Sequence, residues 1–532
     1  ALALNPNQCV RPSMCLGCWT LCGVNVRIDT NTHQILRVSG NPYHPLSKEW
    51  QLPYTTAVKE AHLSLTGERG LNDGRSTACA RGNTMAQIQS SPYRITQPLK
   101  RVGKRGEGKW QTISYRQLLD EIIEGGDLFG EGHVDGLRAM RDYDTLMDPN
   151  NPEFGPKSNQ LLVTNASDEG RDDFIKRFTF NSFGTRNFSN HGSYCGFSFR
   201  AGSGALLNDL DKYHHTKPDL ENVKFALFIG TAPAQAGNPF KRQARQLANA
   251  RAERSFEYVV ITPSLPATSS LSAGDDNHWI AIKPGSDAAL VMAMIQWIIK
   301  EQRFNTLFLS QSGANAMEAA GTAHWSNATH LVISDESHPR AGSFLRASDV
   351  GLPFEGEPLS DTDAYLSVDE ASDQLMSHLT QTSPSKLFVT REIETAHGRL
   401  VVKSSLQRLK EEADKYTLEE YSHECGIDVA TIIALAKKFT SVGTQAAVDT
   451  HGGTMHSNGF YTAYAILMLN ALIGNINMKG GVMAKAGRYP TDGKGPRYNF
   501  AQFPGKVAPK GLFISRNKFK YEKSSEYQRR VA

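Results

Sequence analysis

Three cysteines, Cys15, Cys18 and Cys22, fall within eight residues, spaced C-x2-C-x3-C. A chain that brings three thiols so close must turn back on itself, so "CLGCWTLCG" reads as a loop built round a metal centre. This spacing can offer thiolates to three irons of a cubane, leaving the fourth iron to a ligand from elsewhere. Iron–sulfur clusters are commonly held by four cysteines. Cys79, in "STACARGN", is the candidate for that ligand, with 56 residues between it and Cys22. The alternative is a structural zinc site of four cysteines, or of three and a histidine. Zinc sites usually show two separated CxxC knuckles, and this chain has one. Cys9, six positions before Cys15, is read as a spare thiol, and Cys425 as a small buried residue ahead of a helical pattern. Seven cysteines in 532 residues, three of them bunched, do not make a disulfide framework.

The sequence around the cysteines has a regular texture. "VNVRID" and "QILRV" alternate about "TNTH", which predicts a hairpin. "KWQTISY" reads as a strand, and "YRQLLDEIIEGG" as a helix that stops at Gly125. Residues 160–164 read as a strand, followed by a helix with Phe174, Phe178 and Phe180 on or near an apolar face. From about Val223 the chain alternates strand and helix: "KFALFIG", then "FKRQARQLANARAE", "EYVVITP" and "HWIAIKPG". The helix "SDAALVMAMIQWIIKEQ" follows, with Ser286 as N-cap and Asp287 in its first turn. "NTLFLSQSG" and "HLVISD" are expected to continue the alternation. Apolar strands alternating with helices predict a mostly parallel sheet covered on both faces, with ligands at the loops that follow the strands. After a polar connection from about Asp361 come a helical stretch, a strand leading into "HGGTMHSNG", and the apolar helix "FYTAYAILMLNALIGNI".

Three glycine-rich stretches invite a nucleotide. "AGSGAL" (201–206) is half of a dinucleotide fingerprint, without its third glycine and without a feeding strand. "FIGTAPAQAGNP" follows a buried strand, and "HGGTMHSNG" precedes a helix whose N-terminus favours phosphate. For each, a simple tight turn is the plain alternative. A net charge of +4 on 532 residues gives no global field for nucleic acid or an anionic membrane. The most apolar run, 289–299, is far short of the roughly 20 residues of a span. The chain starts without Met or a signal peptide and ends in a polar, basic stretch, which reads as a truncated chain.

The order of these features resembles the molybdopterin oxidoreductase family that includes dimethyl sulfoxide reductase. The cysteine pattern, "PLKRVGKRGEGKWQTIS", "FGTRN", "LFIGTAPAQAGNP", "IKPGSDAAL" and "LNALIGNINMKGG" carry the resemblance across nearly the whole chain. It implies a multidomain α/β fold: an iron–sulfur domain over 1–115, a discontinuous α/β pterin domain over 116–220 and 386–500, and a Rossmann-like pterin domain over 221–385. Residues 501–532 would lead to a C-terminal domain that this chain stops short of. It implies a [4Fe-4S] cluster on Cys15, Cys18, Cys22 and Cys79, with Arg81 between cluster and pterin. Cys195, in "NHGSYCGFSFRAGSGAL", falls where the family places its molybdenum ligand, beside two pterin dithiolenes, and a thiolate suits that metal.

Gly230, Thr231, Pro263, Asp287 and Gly453 fall where the family contacts the guanine dinucleotide, and Asp287 could instead act only as a helix-start acid. Within the family the chain is most similar to the tetrathionate reductases, with arsenate and polysulfide or thiosulfate reductases as near relatives. That implies two-electron reduction of tetrathionate in anaerobic respiration. Electrons would come from an iron–sulfur partner subunit, itself fed by a membrane quinol-oxidising subunit. The setting would be the periplasm, reached by a twin-arginine signal that this chain lacks. A dianionic substrate needs cations near the metal, and His191, Arg200 and Arg186, then Arg171, Lys176 and Arg177, are the candidates. A non-catalytic electron-transfer module that keeps the cluster is the alternative of another class.

Overall fold

The hairpin expected about "TNTH" belongs to a three-stranded antiparallel sheet: β1 (Gln8–Met14), β2 (Gly23–Asp29) and β3 (Ile35–Gly40), in that order. β1 was not legible in the sequence, because "QCVRPSM" does not alternate. It is an edge strand, where Pro12 can lack a donor without breaking the ladder. This is a computed structural model, and it describes residues 5–18, 20–44, 52–58, 60–61, 78–165, 172–191, 195–210, 212–235, 240–254, 256–264, 279–395, 398–484, 502–513 and 525–531. The chain divides into two units, Ala1–Cys195 with Tyr489–Ala532, and Gly196–Arg488.

In the first unit, the short helix α1 (Ala80–Asn83) follows Cys79. Helix α2 (Tyr115–Glu124) begins at Ser114, whose hydroxyl accepts the Gln117 amide at 3.1 Å, and ends at Gly125, whose φ of 75° favours glycine. The strand expected at 160–164 is Val163–Asn165, after a 3-10 turn over Lys157–Gln160. The Phe-rich helix passes into a π-helix over Arg177–Phe183. Residues 502–513, expected as a linker, pack along this unit. The Val507 amide donates to Asn181 O at 2.8 Å, Asn159 Nδ2 to Lys510 O at 2.9 Å, and the Leu512 amide to Glu153 O at 3.0 Å.

The second unit opens with helix α3 (Phe197–Leu206). "AGSGAL", whose lack of a third glycine and of a feeding strand made a dinucleotide site improbable, is no loop at all, because these glycines are helical. A Cβ on Gly202 would sit 2.9 Å from Ala463 Cβ, and one on Gly204 2.6 Å from Leu210 Cα. They allow close packing rather than cradling a phosphate. Next come β4 (Phe225–Ile229), α4 (Phe240–Glu253), β5 (Glu257–Ile261), β6 (Trp279–Ile280) and α5 (Asp287–Lys300). The alternation then breaks. "NTLFLSQSG" holds a short helix, α6 (Thr306–Leu309), because Asn305 Oδ1 accepts the Phe308 amide at 3.0 Å. The strand in "HLVISD", β7 (Leu331–Ile333), joins an antiparallel sheet with β8 (Thr390–Thr395) and β9 (Gly398–Ser404), in the order β7-β9-β8.

Helices α7 (Leu418–Cys425) and α8 (Val429–Phe439), parted by Gly426, then lead to β10 (Ala446–Thr450) and α9 (Gly459–Leu472). β10 returns to the parallel sheet, whose order is β6-β5-β4-β10. The sheet thus recruits a strand from beyond the boundary drawn at 385. Every residue of β4 and β10 is buried, and alternate residues serve opposite faces. Leu227, Ile229 and Val448 pack with α5, α8 and α9, whereas Ala226, Phe228 and Ala447 pack with Leu247 and Ala250 of α4.

β10 is an edge strand, and among the described residues no further strand satisfies its outer backbone. Asparagines do so instead. Asn470 Oδ1 accepts the Val448 amide and its Nδ2 donates to Val448 O, both at 3.0 Å, while Asn475 Nδ2 donates to Ala446 O at 2.6 Å. All are buried, so Asn470→Leu strands a donor and an acceptor away from water. It should cost about 2–4 kcal/mol in urea unfolding, and an unchanged midpoint would contradict this role.

Candidate functional site

The cysteine loop is the turn of a hairpin. The ladder of β1 and β2 ends with Met14 opposite Gly23, and residues 15–22 close it. The Cys15 amide donates to Cys22 O at 2.8 Å, holding the loop's ends together. Inside it, the Thr20 amide donates to Cys18 Sγ at 3.4 Å, and Leu21 turns the chain with φ 51°. Cys79 is the N-cap residue of α1, and that helix lies on the loop. A Cβ on Gly82 would come 3.6 Å from Cys15 Sγ, and one on Gly17 would meet Arg81 Cγ at 3.3 Å and Cys15 Sγ at 3.6 Å. Arg81 Nη1 reaches Gly17 O at 3.4 Å. The fold therefore brings the Cys79 helix onto the loop across a gap whose residues 62–77 lie outside the described set. No disulfide engages any of the seven cysteines. Among the described residues, no three His, Cys, Asp or Glu side chains converge on a single metal ion. A cubane spreads its thiolates over four irons.

The second constellation lies at the carboxyl ends of the parallel strands. Gly230 follows β4 with φ 62°, and its carbonyl accepts the Gly453 amide at 2.7 Å. A Cβ on Gly230 would fall 2.8 Å from Gly453 Cα, and 3.5 Å from Asp287 Oδ1. Thr231, next in the chain, and Asp287 are both buried, and burial pushes the Asp287 carboxyl up, against the pull of His456. Pro263 lies after β5 and is exposed. Thr450, the last residue of β10, is buried, and its Oγ1 has no partner among the described residues. Thr450 escaped the sequence reading, although a polar residue ending an apolar strand just before "HGG" was a signal for it.

Cys195 closes the first unit, half-buried, its amide donating to His191 O at 3.0 Å; residues 192–194 lie outside the described set. Arg200 is on the first turn of α3 and half-buried. Other candidate cations are engaged elsewhere. Arg186 lies over Phe513 at 4.0 Å and donates to Gly511 O, and Arg177 lies over Phe503 at 4.2 Å, so both grip the C-terminal segment. Lys176 lies 6.0 Å over Phe188, and Arg171 is outside the described residues.

Residues 173–521 match the family described as molybdopterin oxidoreductase. The chain belongs to this family. It is 53% identical over 530 residues to a tetrathionate reductase subunit of Salmonella typhimurium, covering 99% of this chain and 51% of that protein. It is 32% identical to a selenate reductase subunit of Mesobacillus selenatarsenatis (97% and 51%), and 30% to a tetrathionate reductase subunit of Archaeoglobus fulgidus (97% and 49%). The chain thus spans about half the length of the curated relatives it matches. Among solved structures, acetylene hydratase from Pelobacter acetylenicus shares the fold. Its TM-score is 0.50 at 17% identity, over 89% of this chain and 44% of that one.

Membership in the molybdopterin oxidoreductases implies a molybdenum–pterin cofactor, and two observations fit such a group. The Thr450 hydroxyl, buried with no partner among the described residues, is a polar group left over at the strand ends, where the buried Asp287 carboxyl also lies. Gly230 and Gly453 cradle each other backbone to backbone, because a Cβ on either would strike the other, and so bring the loops after β4 and β10 together. Gly230→Ala should cost about 2–4 kcal/mol, from the left-handed backbone and the crowding together, and should lower bound molybdenum–pterin cofactor. Gly351→Ala is the control, since Gly351 has φ 68° and nothing within 4 Å of its Cβ position. Equal losses in thermal unfolding would contradict the cradle.

Proposed function

We propose that this chain is the cluster- and pterin-bearing part of the catalytic subunit of a molybdenum-dependent tetrathionate reductase. The observation that carries the reading is 53% identity to a protein of that name over 99% of this chain. Cys15, Cys18, Cys22 and Cys79 hold a [4Fe-4S] cluster. The Thr20 amide donates to Cys18 Sγ, a hydrogen bond of the kind that tunes cluster sulfurs, and the buried Thr20 hydroxyl has no partner among the described residues. Electrons from the cluster would pass toward the pterin by way of Arg81, on the helix that follows Cys79. Gly230, Thr231, Asp287, Thr450 and Gly453, with Pro263 at the rim, receive the guanine dinucleotide of a bis(molybdopterin guanine dinucleotide) cofactor. Cys195 ligates molybdenum.

When bound, the metal supplies two-electron chemistry; the protein supplies binding, orientation and charge. Two electrons break the central S–S bond of tetrathionate and two thiosulfates leave, with no proton taken up. Negative charge grows from two to four, so the residues facing the substrate must be cationic. His191 and Arg200 take this role, and the planar guanidinium of Arg200 suits an S–O face. Electrons arrive through an iron–sulfur partner subunit from a membrane quinol-oxidising subunit, in the periplasm, after export by a twin-arginine signal. In the described residues no helix is long and apolar enough to cross a membrane, so attachment would run through those partners.

The test is oxidation of reduced viologen by the full-length native protein. Tetrathionate should be turned over, Cys195→Ala should leave under about 1% of that rate, and Arg200→Gln should raise KM about tenfold with a smaller effect on kcat. Turnover of selenate, arsenate or polysulfide with none of tetrathionate would replace this substrate by another on the same scaffold. No turnover of any of them, in protein holding a cluster and no molybdenum, would leave an electron-transfer module.

A further inference from the structure

The residue after Cys195 has no side chain for a reason the structure shows. A Cβ on Gly196 would lie 2.6 Å from both Cε1 and Nε2 of His451. The backbone at the start of α3 rests on that imidazole. Gly196 is the first residue of the second unit, and everything that holds the ring lies in that unit.

His451 is fixed from several sides. It follows directly on β10, and its carbonyl accepts the Thr454 hydroxyl at 2.8 Å. Its ring packs on Phe199 with centroids 5.2 Å apart, and on His215 at 5.8 Å, while Phe199 and His215 meet edge to face at 5.3 Å. Phe199 is completely buried in the first turn of α3. Lys217 Nζ lies over the Phe199 ring at 5.3 Å and bridges both oxygens of Asp449, at 3.1 and 3.0 Å. Both ion-pair partners are buried, and Asp449 lies on β10 two residues before His451.

Charge follows from this packing. Burial raises the Asp449 carboxyl, against the opposing pull of the Lys217 ammonium. Burial, with Lys217 next in effect, holds the His215 imidazole well below its ordinary value, and it stays neutral. Lys217 is thereby committed to Asp449 and is not a cation for substrate. A buried ion pair that joins two strands and stacks on a ring shared by two histidines is a device for fixing position.

We propose that His451, locked by Phe199, His215 and the Lys217–Asp449 pair, is the positioning residue that sets the Gly196 peptide and through it the direction of the Cys195 thiolate. The inference rests on the reading of Cys195 as the metal ligand. It adds residues from the far end of the parallel sheet to a role that resemblance assigns to the Cys195 loop alone.

The test reads the thiol directly, so it does not depend on activity. In cofactor-free full-length protein, the rate of Cys195 alkylation by iodoacetamide is followed by peptide mass, with Cys425 as the folding control. Cys425 is buried and stays protected as long as its helices hold. His451→Ala should change the Cys195 rate by about tenfold or more with Cys425 unaltered, and His451→Phe, which keeps a ring under Gly196, should stay near wild type. In loaded protein, His451→Ala should retain molybdenum, shift the Mo(V) resonance signature, and lower kcat by about a hundredfold with KM changed less than about threefold. If His451→Ala does not fold, Gly196→Ser carries the same test, because its Cβ pushes the backbone off an intact His451. Wild-type alkylation of Cys195 in both variants, or an unshifted resonance signature in loaded His451→Ala, would overturn the proposal. Absence of molybdenum from wild-type protein would instead overturn the reading of Cys195 as ligand, and the alkylation result would still report on the seat.

Discussion

Strand Phe225–Ile229 lies parallel to Ala446–Thr450, with Ile229 opposite Thr450, and most of what the second unit can do depends on that pairing. It joins segments more than two hundred residues apart. Parallel strands point their carboxyl ends the same way, so the loops after both strands must share one crevice. That is why Gly230 and Gly453 touch backbone to backbone, why Asp287 is close to them, and why Thr450 has its hydroxyl buried there. The same strand carries Asp449 to Lys217 and leads His451 to Gly196. The asparagines that seal its outer edge belong to helix Gly459–Leu472 and the turn after it, so the helix that covers one face also completes the ladder.

The first unit solves a different problem. Eight residues carrying three thiols cannot pack as a core, and hydrogen-bonded backbone on both sides has to hold them. The hairpin of Gln8–Met14 and Gly23–Asp29 does this, and the helix after Cys79 lies across the opening through Gly17, Gly82 and Arg81. Each of these two glycines leaves room for a thiol. A Cβ at either would come into van der Waals contact with the sulfur of Cys15, so both glycines border the thiols.

Much of this was legible in the sequence where the signal is local. The C-x2-C-x3-C spacing, the "TNTH" hairpin and Gly125 as a helix stop depend on neighbours a few residues away. The strands at 225–229 and 257–261 declared themselves by apolar runs, unbroken in the first and interrupted only by Glu257 at the start of the second. What was lost depends on distant partners. "NTLFLSQSG" is apolar enough for a strand, and the Asn305 cap turns it into a helix. "AGSGAL" looks like a phosphate loop, yet its glycines exist for Ala463 and Leu210. "HLVISD" forms a strand as read, but its antiparallel neighbour lies about seventy residues on. Within the candidate sites, the cysteines and glycines could be named from motif and resemblance. Thr450 had only the faint signal of a polar end to an apolar strand, and His451 and Lys217 had none, because their meaning comes from β-sheet register rather than from any pattern along the chain.

The central claim is that one polypeptide carries a four-cysteine cluster and a pterin-bound molybdenum. The most direct measurement is metal analysis with an electronic spectrum on anaerobically purified protein, comparing this chain with the full-length form and with Cys79→Ala in each. About four irons per chain and a brown chromophore are expected. Molybdenum with guanine nucleotide is expected in the full-length form, and loss of the chromophore in Cys79→Ala. Zinc in place of iron, no visible absorption and no molybdenum in either form would contradict the claim.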